Sequence, residues 1–529
     1  MVSLISIYNQ FTKKINGEHR PLIEKILLRI QESSKCFMYI VQAPTGYGKT
    51  SISITSAIYS IYDASLFPKV IHVLPMRSIV EDVFYRAVEI MEGAVKTKMM
   101  DVKEEELEVF HLYPLNVTTV DTFTWDIMKL NTKKIERIRT GREYGYDFLT
   151  QGSILDSLII FDEAHYILEE ENLRKIFSII LNFLLKYKTS IIISTATLSN
   201  GYKEYFKLLA EQYGYDFDVF TVDSSDPFVH KECKKNFNLQ LINNGNNVIE
   251  ESLKLIDEEK INLIVVNSPY TAVKIYDKLS SSTNMQVFLL HGNMKKKDRK
   301  EKLKKIRMLC KQRESCVIVA TQVIEAGVDI TSDRLITELS VAQSLIQRMG
   351  RVARYQEEFA DIFVIKSDGR PYPLKKIEKT WTWLNRNKNS FHPRLAETYV
   401  SLLDEVHGKT VQEVNPEYSS GHLFRLKSLL IDLRTRSIEV LNEVENILKD
   451  TALMRNFTIP VKVDEEYILL TPQEVEKLFY KGLVKVEFNN VELRDIDNFL
   501  NIAKEIAIGE KLIEVTYTGK YDCLRGIIP

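Results

Sequence analysis

The run QRMGRVAR, Gln347 to Arg354, places Arg348, Arg351 and Arg354 within eight residues and contains no carboxylate. Three guanidinium groups so close together call for a negative charge that the stretch itself does not supply. The same pattern also fits the solvated basic face of a helix. Some 300 residues earlier, APTGYGKTS spans Ala43 to Ser51, directly after an apolar run and before a helical one. Gly46 and Gly48 let the backbone turn its N–H groups inward around phosphate, with Thr45, Tyr47 and Ser51 completing the loop. Lys49 can reach the β- and γ-phosphates, and the Thr50 hydroxyl can ligate Mg2+. Ala43 stands where the general pattern has its first glycine. A plain strand–turn–helix connection is the alternative. LIIFDEAH then places Asp162 and Glu163 at the end of an apolar run. Asp162 can join the shell of a magnesium ion, and Glu163 can orient an attacking water and accept its proton. The competing reading is an acidic helix N-terminus.

Such residues need rigid elements behind them. FMYIVQA (37–43), KVIHVLP (69–75), SLIIFDE (157–163) and SIIIST (190–195) read as buried parallel strands. A second series follows in NLIVVN (262–267), MQVFLLH (285–291), SCVIVAT (315–321), RLITELS (334–340) and DIFVIK (361–366). Longer helical patterns separate these runs. The expected fold is therefore α/β, with two tandem parallel-sheet domains at 1–222 and 223–367. Pro227 and the serines of VDSSDPFVHKE mark the join. DGRPYPLKK, from Asp368, reads as a linker into a C-terminal accessory domain, 368–529.

Composition bounds the partners. The 529 residues carry 71 basic and 72 acidic side chains, for a net charge of −1. A nucleic-acid site must then be a local groove rather than the field of the whole protein. Five cysteines without a Cys-x-x-Cys pair argue against a zinc knuckle and fit a reducing compartment. No signal peptide or membrane-length apolar run is readable, so the expectation is a cytoplasmic protein without a membrane partner.

APTGYGKT, DEAH, TAT (195–197), ATQVIEAGVDI (320–330) and QRMGRVAR occur in this order. Together they resemble a superfamily-two helicase with two RecA-like domains, over roughly residues 20 to 365. The resemblance implies that ATP sits between the domains with Mg2+. Gln347 and Arg348 would link to nucleotide and facing domain. Arg351 and Arg354 would reach the γ-phosphate, making that phosphate, and not a carboxylate of the chain, the charge these arginines await. It implies a coupling role for STAT, in which the hydroxyls of Thr195 and Thr197 exchange partners with the DEAH carboxylates. Ser194 also fits a strand-end cap. Thr321 would face the nucleic-acid backbone, while Gly327 and Asp329 would approach ATP. LPMRSIVED and TTVDTF resemble strand-gripping motifs, giving Arg77, Thr119 and Asp121 as candidates; LLHGNM gives His291 and Gly292. No glutamine stands at the usual upstream offset for reading adenine.

The versions QAPTGYGKT, LIIFDEAH, VIEAGVDI and SLIQRMGRVARY resemble the helicase of type I CRISPR interference systems. That subgroup implies 3′-to-5′ movement along single-stranded DNA and partnership with a CRISPR effector complex. Most members carry a metal-dependent HD nuclease. Nine histidines without a His-Asp dipeptide, and about 40 residues ahead of the phosphate loop, point to a separate HD nuclease subunit. The alternatives are another superfamily-two helicase acting on RNA or in DNA repair, and a non-catalytic nucleic-acid-binding scaffold. The segment 295–313 holds eleven Lys or Arg and two acids, with Leu303, Ile306 and Cys310 on one helical face. It reads as a solvated amphipathic helix before it reads as a DNA-binding one.

Overall fold

The computed structural model describes residues 2–99, 107, 109–129, 146–223, 225–243, 247–325, 327–416, 458–496, 498–508 and 513–528. The chain divides into two compact units. The first holds the residues up to Lys231 and takes in the chain again from His407; the second begins at Glu232 and includes the C-terminal sheet.

The first unit is built on β1 (Phe37–Gln42), β2 (Val70–Leu74), β3 (Val95–Lys98), β4 (Leu115–Thr119), β5 (Leu158–Phe161), β6 (Ile191–Thr195) and β7 (Asp216–Thr221). They form one parallel sheet in the order β3-β4-β2-β5-β6-β1-β7. Every residue of β1, β2, β5 and β6 is buried, as expected for a parallel sheet covered on both faces. The sequence motifs of this unit all follow carboxyl ends of strands: the phosphate loop after β1, Asp162 after β5, STAT at the end of β6, Arg77 after β2 and Thr119 ending β4. Open α/β sheets bind their ligands there.

The second unit repeats the plan with β8 (Asn236–Ile242), β9 (Ile261–Val265), β10 (Gln286–Leu290), β11 (Cys316–Ala320), β12 (Arg334–Glu338) and β13 (Phe359–Ile365). Their order is β10-β11-β9-β12-β13-β8, again all parallel. Side chains alternate between two cores. Ile261, Leu263 and Val265 face one, with Cys316, Ile318 and Ala320; Ile264, Val317 and Val319 face the other. The first core also contains Ile377, Trp383, Leu384, Tyr399 and Leu402, from helices Leu374–Asn387 and Ala396–His407. The expected division at 367/368 therefore runs through one continuous core, and these helices are a layer of the second parallel-sheet unit. The expected division at 222/223 lies nine residues before the boundary at Lys231.

The C-terminal strands β14 (Ile459–Val463), β15 (Glu466–Leu470), β16 (Val484–Phe488), β17 (Val491–Glu492) and β18 (Ile513–Tyr517) form a mixed sheet, β15-β14-β18-β16-β17, over a core of its own. This small domain is fastened to the loop after β10. Ile527 N–H donates to Asn293 O (2.8 Å), Asn293 Nδ2 to Glu474 (2.9 Å) and Lys302 Nζ to Leu524 O (2.7 Å). Arg525 pairs with Asp277 (2.8 Å).

Candidate nucleotide and nucleic-acid sites

The phosphate loop is anchored at both ends and in the middle. Ala43 N–H donates to Thr195 O (3.1 Å), tying the loop to β6. Gly46 and Gly48 have φ of 88° and 96°, a region that costs a residue with a Cβ about 1 kcal/mol or more. Between them the Tyr47 ring turns inward. Its hydroxyl donates to Asp226 (2.6 Å) and accepts from Leu22 N–H (3.2 Å), while the Arg20 guanidinium lies over its face. Burial and the Asp226 carboxylate both push this phenol up. Tyr47 thus shapes the loop from behind. Lys49 Nζ donates to Ala43 O (3.0 Å) and lies across the loop. Thr50 opens the helix Thr50–Tyr62, whose first-turn N–H groups and dipole favour an anion.

Asp162 follows β5 and is buried. Its Oδ1 accepts from Glu163 N–H (2.9 Å) and the Ser194 hydroxyl (2.6 Å), and its Oδ2 faces His72 Nε2 at 3.5 Å. Burial alone would raise its pKa; the His72 interactions, the Lys49 charge and the Ser194 hydrogen bond outweigh this and hold the carboxyl well below its usual range. The result is an ionised oxygen ligand. With the Thr50 hydroxyl it supplies two hard donors, the small protein set typical of Mg2+ that keeps waters and phosphate oxygens as its other ligands. The residues present fit that ion.

Glu163 has φ +50°, a conformation uncommon for its residue type. It directs adjacent carboxylates out of the strand end in different directions. Glu163 Oε2 lies 3.4 Å from His165 Nδ1, which also lies 3.1 Å from Thr195 Oγ1. Burial pushes His165 down to about 3, so the ring is neutral at physiological pH and the Glu163 contact is not an ion pair. Thr195 Oγ1 also accepts from Thr197 N–H (3.2 Å). STAT is therefore wired to DEAH, but through Ser194 to the carboxylate and Thr195 to the histidine. Ser194, for which the sequence also offers a strand-end cap, is the STAT hydroxyl that reaches the carboxylate.

In the second unit the three arginines have partners, and here the expectation of no carboxylate from the chain is corrected. Arg348, in helix Ala342–Met349, is fully buried. It donates to Glu325 (2.8 Å), Asn267 Oδ1 (2.9 Å), Glu338 O (3.0 Å) and Thr337 Oγ1 (3.1 Å). Arg354 pairs with Asp329 at 3.3 Å. A buried guanidinium without a counter-charge would be too costly, so Glu325 is required. Arg351 donates from Nε to Ile324 O (3.0 Å) and from Nη2 to Glu325 O. Gln347 is buried in the same helix. Gly327, φ +68°, turns the chain that carries Asp329.

The nucleic-acid candidates scatter. Thr119 caps helix Val120–Met128, accepting from Thr122 N–H (3.2 Å), so its hydroxyl serves the backbone. Asp121 sits in that helix's first turn, and Arg77 begins helix Arg77–Met91. Thr321 is buried at the end of β11. His291 serves the fold locally. The ring is buried, Nε2 meets Arg525 O (2.7 Å), and Nδ1 accepts from Asn293 N–H. Gly292 remains exposed. The basic helix Lys296–Gln312 buries Ile306, Leu309 and Cys310 and leaves most of its lysines in water, the amphipathic arrangement expected of this segment.

Residues 23–205 match the family model for DEAD/DEAH box helicases, and residues 258–357 that for the C-terminal part of the CRISPR-associated nuclease/helicase Cas3. Among curated relatives, a CRISPR-associated nuclease/helicase Cas3 of Methanothermobacter thermautotrophicus is 24% identical, over 85% of this chain and 54% of the relative. A CRISPR-associated helicase Cas3 of Thermoproteus tenax is 27% identical, over 64% of this chain and 58% of the relative. The chain thus spans little more than half the length of these relatives. The crystal structure of T. fusca Cas3-ATP shares the fold, with a TM-score of 0.58 and 17% identity over 80% of this chain and 56% of that one. No helix among the described residues is long and apolar enough to cross a membrane. Two parallel-sheet units with helicase motifs at their strand ends thus coincide, in order, with a DEAD/DEAH box helicase domain over residues 23–205 and a Cas3-like C-terminal domain over residues 258–357.

Proposed function

We propose that the chain is the ATP-dependent helicase of a type I CRISPR interference system, moving 3′ to 5′ along single-stranded DNA. In this reading Thr45, Gly46, Gly48, Lys49, Thr50 and Ser51 hold the ATP phosphates, and Thr50 and Asp162 hold Mg2+. That ion would neutralise charge on the phosphate oxygens. Glu163 orients the water and accepts its proton. Arg351 and Arg354, with Gly327 and Asp329, act on the same nucleotide from the second domain. Arg77, Asp121, Gly292 and Thr321 serve the strand, and Ser194 and Thr195 carry the state of the DEAH carboxylate and histidine to the rest of the first domain. The chain would act beside a CRISPR effector complex and pass its strand to an HD nuclease on a separate subunit. The Thermoproteus relative, named a CRISPR-associated helicase, supports the helicase part of this reading. The T. fusca structure with ATP supports the choice of nucleotide.

One observation carries the reading: an ionised, buried Asp162 beside a conformationally constrained Glu163, with Asp162 hydrogen-bonded to Ser194 of the STAT strand end that also ties down the phosphate loop. The test is Glu163→Gln. Turnover of ATP in the presence of single-stranded DNA should fall by ~100-fold or more, with nucleotide and DNA binding retained. Near-normal hydrolysis would remove Glu163 from its role. Stimulation of the wild-type ATPase by RNA and not by DNA would instead assign the chain to another branch of superfamily two.

A further inference from the structure

Behind the turn that links Arg351 to Arg354 lies a second charged cluster that no helicase motif includes. Glu232, Lys235 and Arg394 are each more than nine-tenths buried. Lys235 Nζ donates to Glu232 Oε1 (2.8 Å) and to Ala353 O (2.7 Å). Arg394 Nη2 donates to Val352 O (2.9 Å), and its Nε lies 3.6 Å from Glu232 Oε2. Two buried cations sharing one carboxylate thus hold the two consecutive carbonyls that separate the two arginines.

The turn needs holding. Ala353 has φ +44°, a left-handed conformation that costs a non-glycine residue ~1–3 kcal/mol and persists only where its surroundings enforce it. Its N–H donates to Ser332 O (3.0 Å), and the Arg354 N–H to Thr331 Oγ1 (3.0 Å). The donors are thereby fixed by one strand connection and the acceptors by Lys235 and Arg394. The direction in which the side chains of 351 and 354 leave the backbone is set by this conformation. Arg394 is itself held in place. Its N–H donates to His392 Nδ1 (3.2 Å), which leaves His392 Nε2–H to donate to Lys235 O (3.3 Å). Residues 392 to 394 are thereby tied to the Lys235 backbone through His392 and face the Glu232 carboxylate through Arg394.

We propose that Arg394 and Lys235, through their shared Glu232, are positioning residues for ATP hydrolysis, holding the Val352–Ala353 turn in the one conformation that presents Arg351 and Arg354 to phosphate. The inference rests on the role given to those two arginines above. Arg394 and Lys235 are given this role through the turn they hold and not through a contact of their own with nucleotide.

The experiment uses the full chain with single-stranded DNA and compares Arg394→Met, Arg394→Lys and Lys235→Met, alone and combined with Arg351→Ala. Arg394→Met should lower kcat by about 10- to 100-fold, the scale of a misplaced catalytic group, while KM for ATP moves by less than about threefold. Lys at 394 keeps a cation and one N–H for Val352 O and should recover part of the loss. In the Arg351→Ala background Arg394→Met should add little, because residues acting as one unit are non-additive. An equal fold-loss in both backgrounds, or unchanged kcat in a folded Arg394→Met protein, overturns the proposal. Should Arg394→Met fail to fold, Lys235→Met and Arg394→Lys carry the same comparison, and wild-type kcat in both overturns it. If Arg351→Ala alone leaves kcat unchanged, the role of the arginines has failed, an outcome distinct from failure of the positioning.

Discussion

Arg348→Met separates two roles that a motif arginine can have. The wild-type guanidinium is wholly buried and donates to four oxygens between 2.8 and 3.1 Å away. Its carboxylate partner, Glu325, is 2% exposed and would be left without its cation. Breaking a buried pair from one side costs ~3–5 kcal/mol. At ~2–4 °C per kcal/mol for a unit of this size, the melting transition of the second unit should drop by roughly 6–20 °C. Because the cost is the stranded carboxylate, Arg348→Met/Glu325→Leu should lose less than the sum of the two single changes and melt near or above Arg348→Met. The assay is scanning calorimetry on the three variants and the parent, with nucleotide affinity measured at a temperature where all four are folded. The reasoning is refuted if Arg348→Met melts within about 1 °C of the parent yet loses nucleotide affinity. That result would mean the side chain faces ATP.

Two further outcomes follow from the C-terminal segment. A Cβ on Gly526 would sit 2.5 Å from Asn293 O and 2.9 Å from His291 Cε1, at φ +71°; Gly526→Ala should destabilise the docked segment by ~1–3 kcal/mol and deprotect the Ile527 amide in hydrogen exchange, and unchanged protection would show that the segment is not seated there. Burial pushes His291 down to about 4, so between pH 6.5 and 4 the unfolded chain takes up a proton that the folded chain refuses. Stability from this site is therefore lost as pH falls, at ~1.4 kcal/mol per pH unit across that window, and His291→Gln should flatten the pH dependence of the second unit's melting; an identical slope in parent and variant argues against the buried neutral ring.

Legibility in the sequence followed burial. All nine strands read from apolar runs are present, and all but the edge strand β10 lie inside a sheet, where covering on both faces demands a continuous apolar sequence. Among the described strands of the two parallel sheets, those that escaped are β3, β4, β7 and β8. Exposed and half-exposed residues alternate along β8, and most of β7 is only partly buried. Both are edge strands. β4 is internal, but its LNVTT carries three polar side chains that the fold buries. Asn116 and Thr118 do so by hydrogen bonding to Tyr113 O and Lys98 O. At the nucleotide site the motif residues were legible because their spacing is local. Their supports were not: Asp226 behind Tyr47, His72 behind Asp162, and Arg394 behind Val352 are all 42 or more residues away in sequence. Nothing in a short window announces such pairs.

The same reason explains why QRMGRVAR looked like charge without a partner. Its arginines recur every third residue, and each is met by the turn that follows β11. Arg348 takes the Glu325 carboxylate, Arg351 the carbonyls of Ile324 and Glu325, and Arg354 the Val328 carbonyl and the Asp329 carboxylate. The two motifs are halves of one structure. Its bonds are unequal. The Arg348 pair is sealed from water, whereas the Asp329 side chain is 44% exposed and its pair with Arg354 is the kind that solvent screens to little net strength. The fixed end of the motif is thus Arg348, sealed with Glu325, and its looser end is Arg354, whose carboxylate partner stands largely in water.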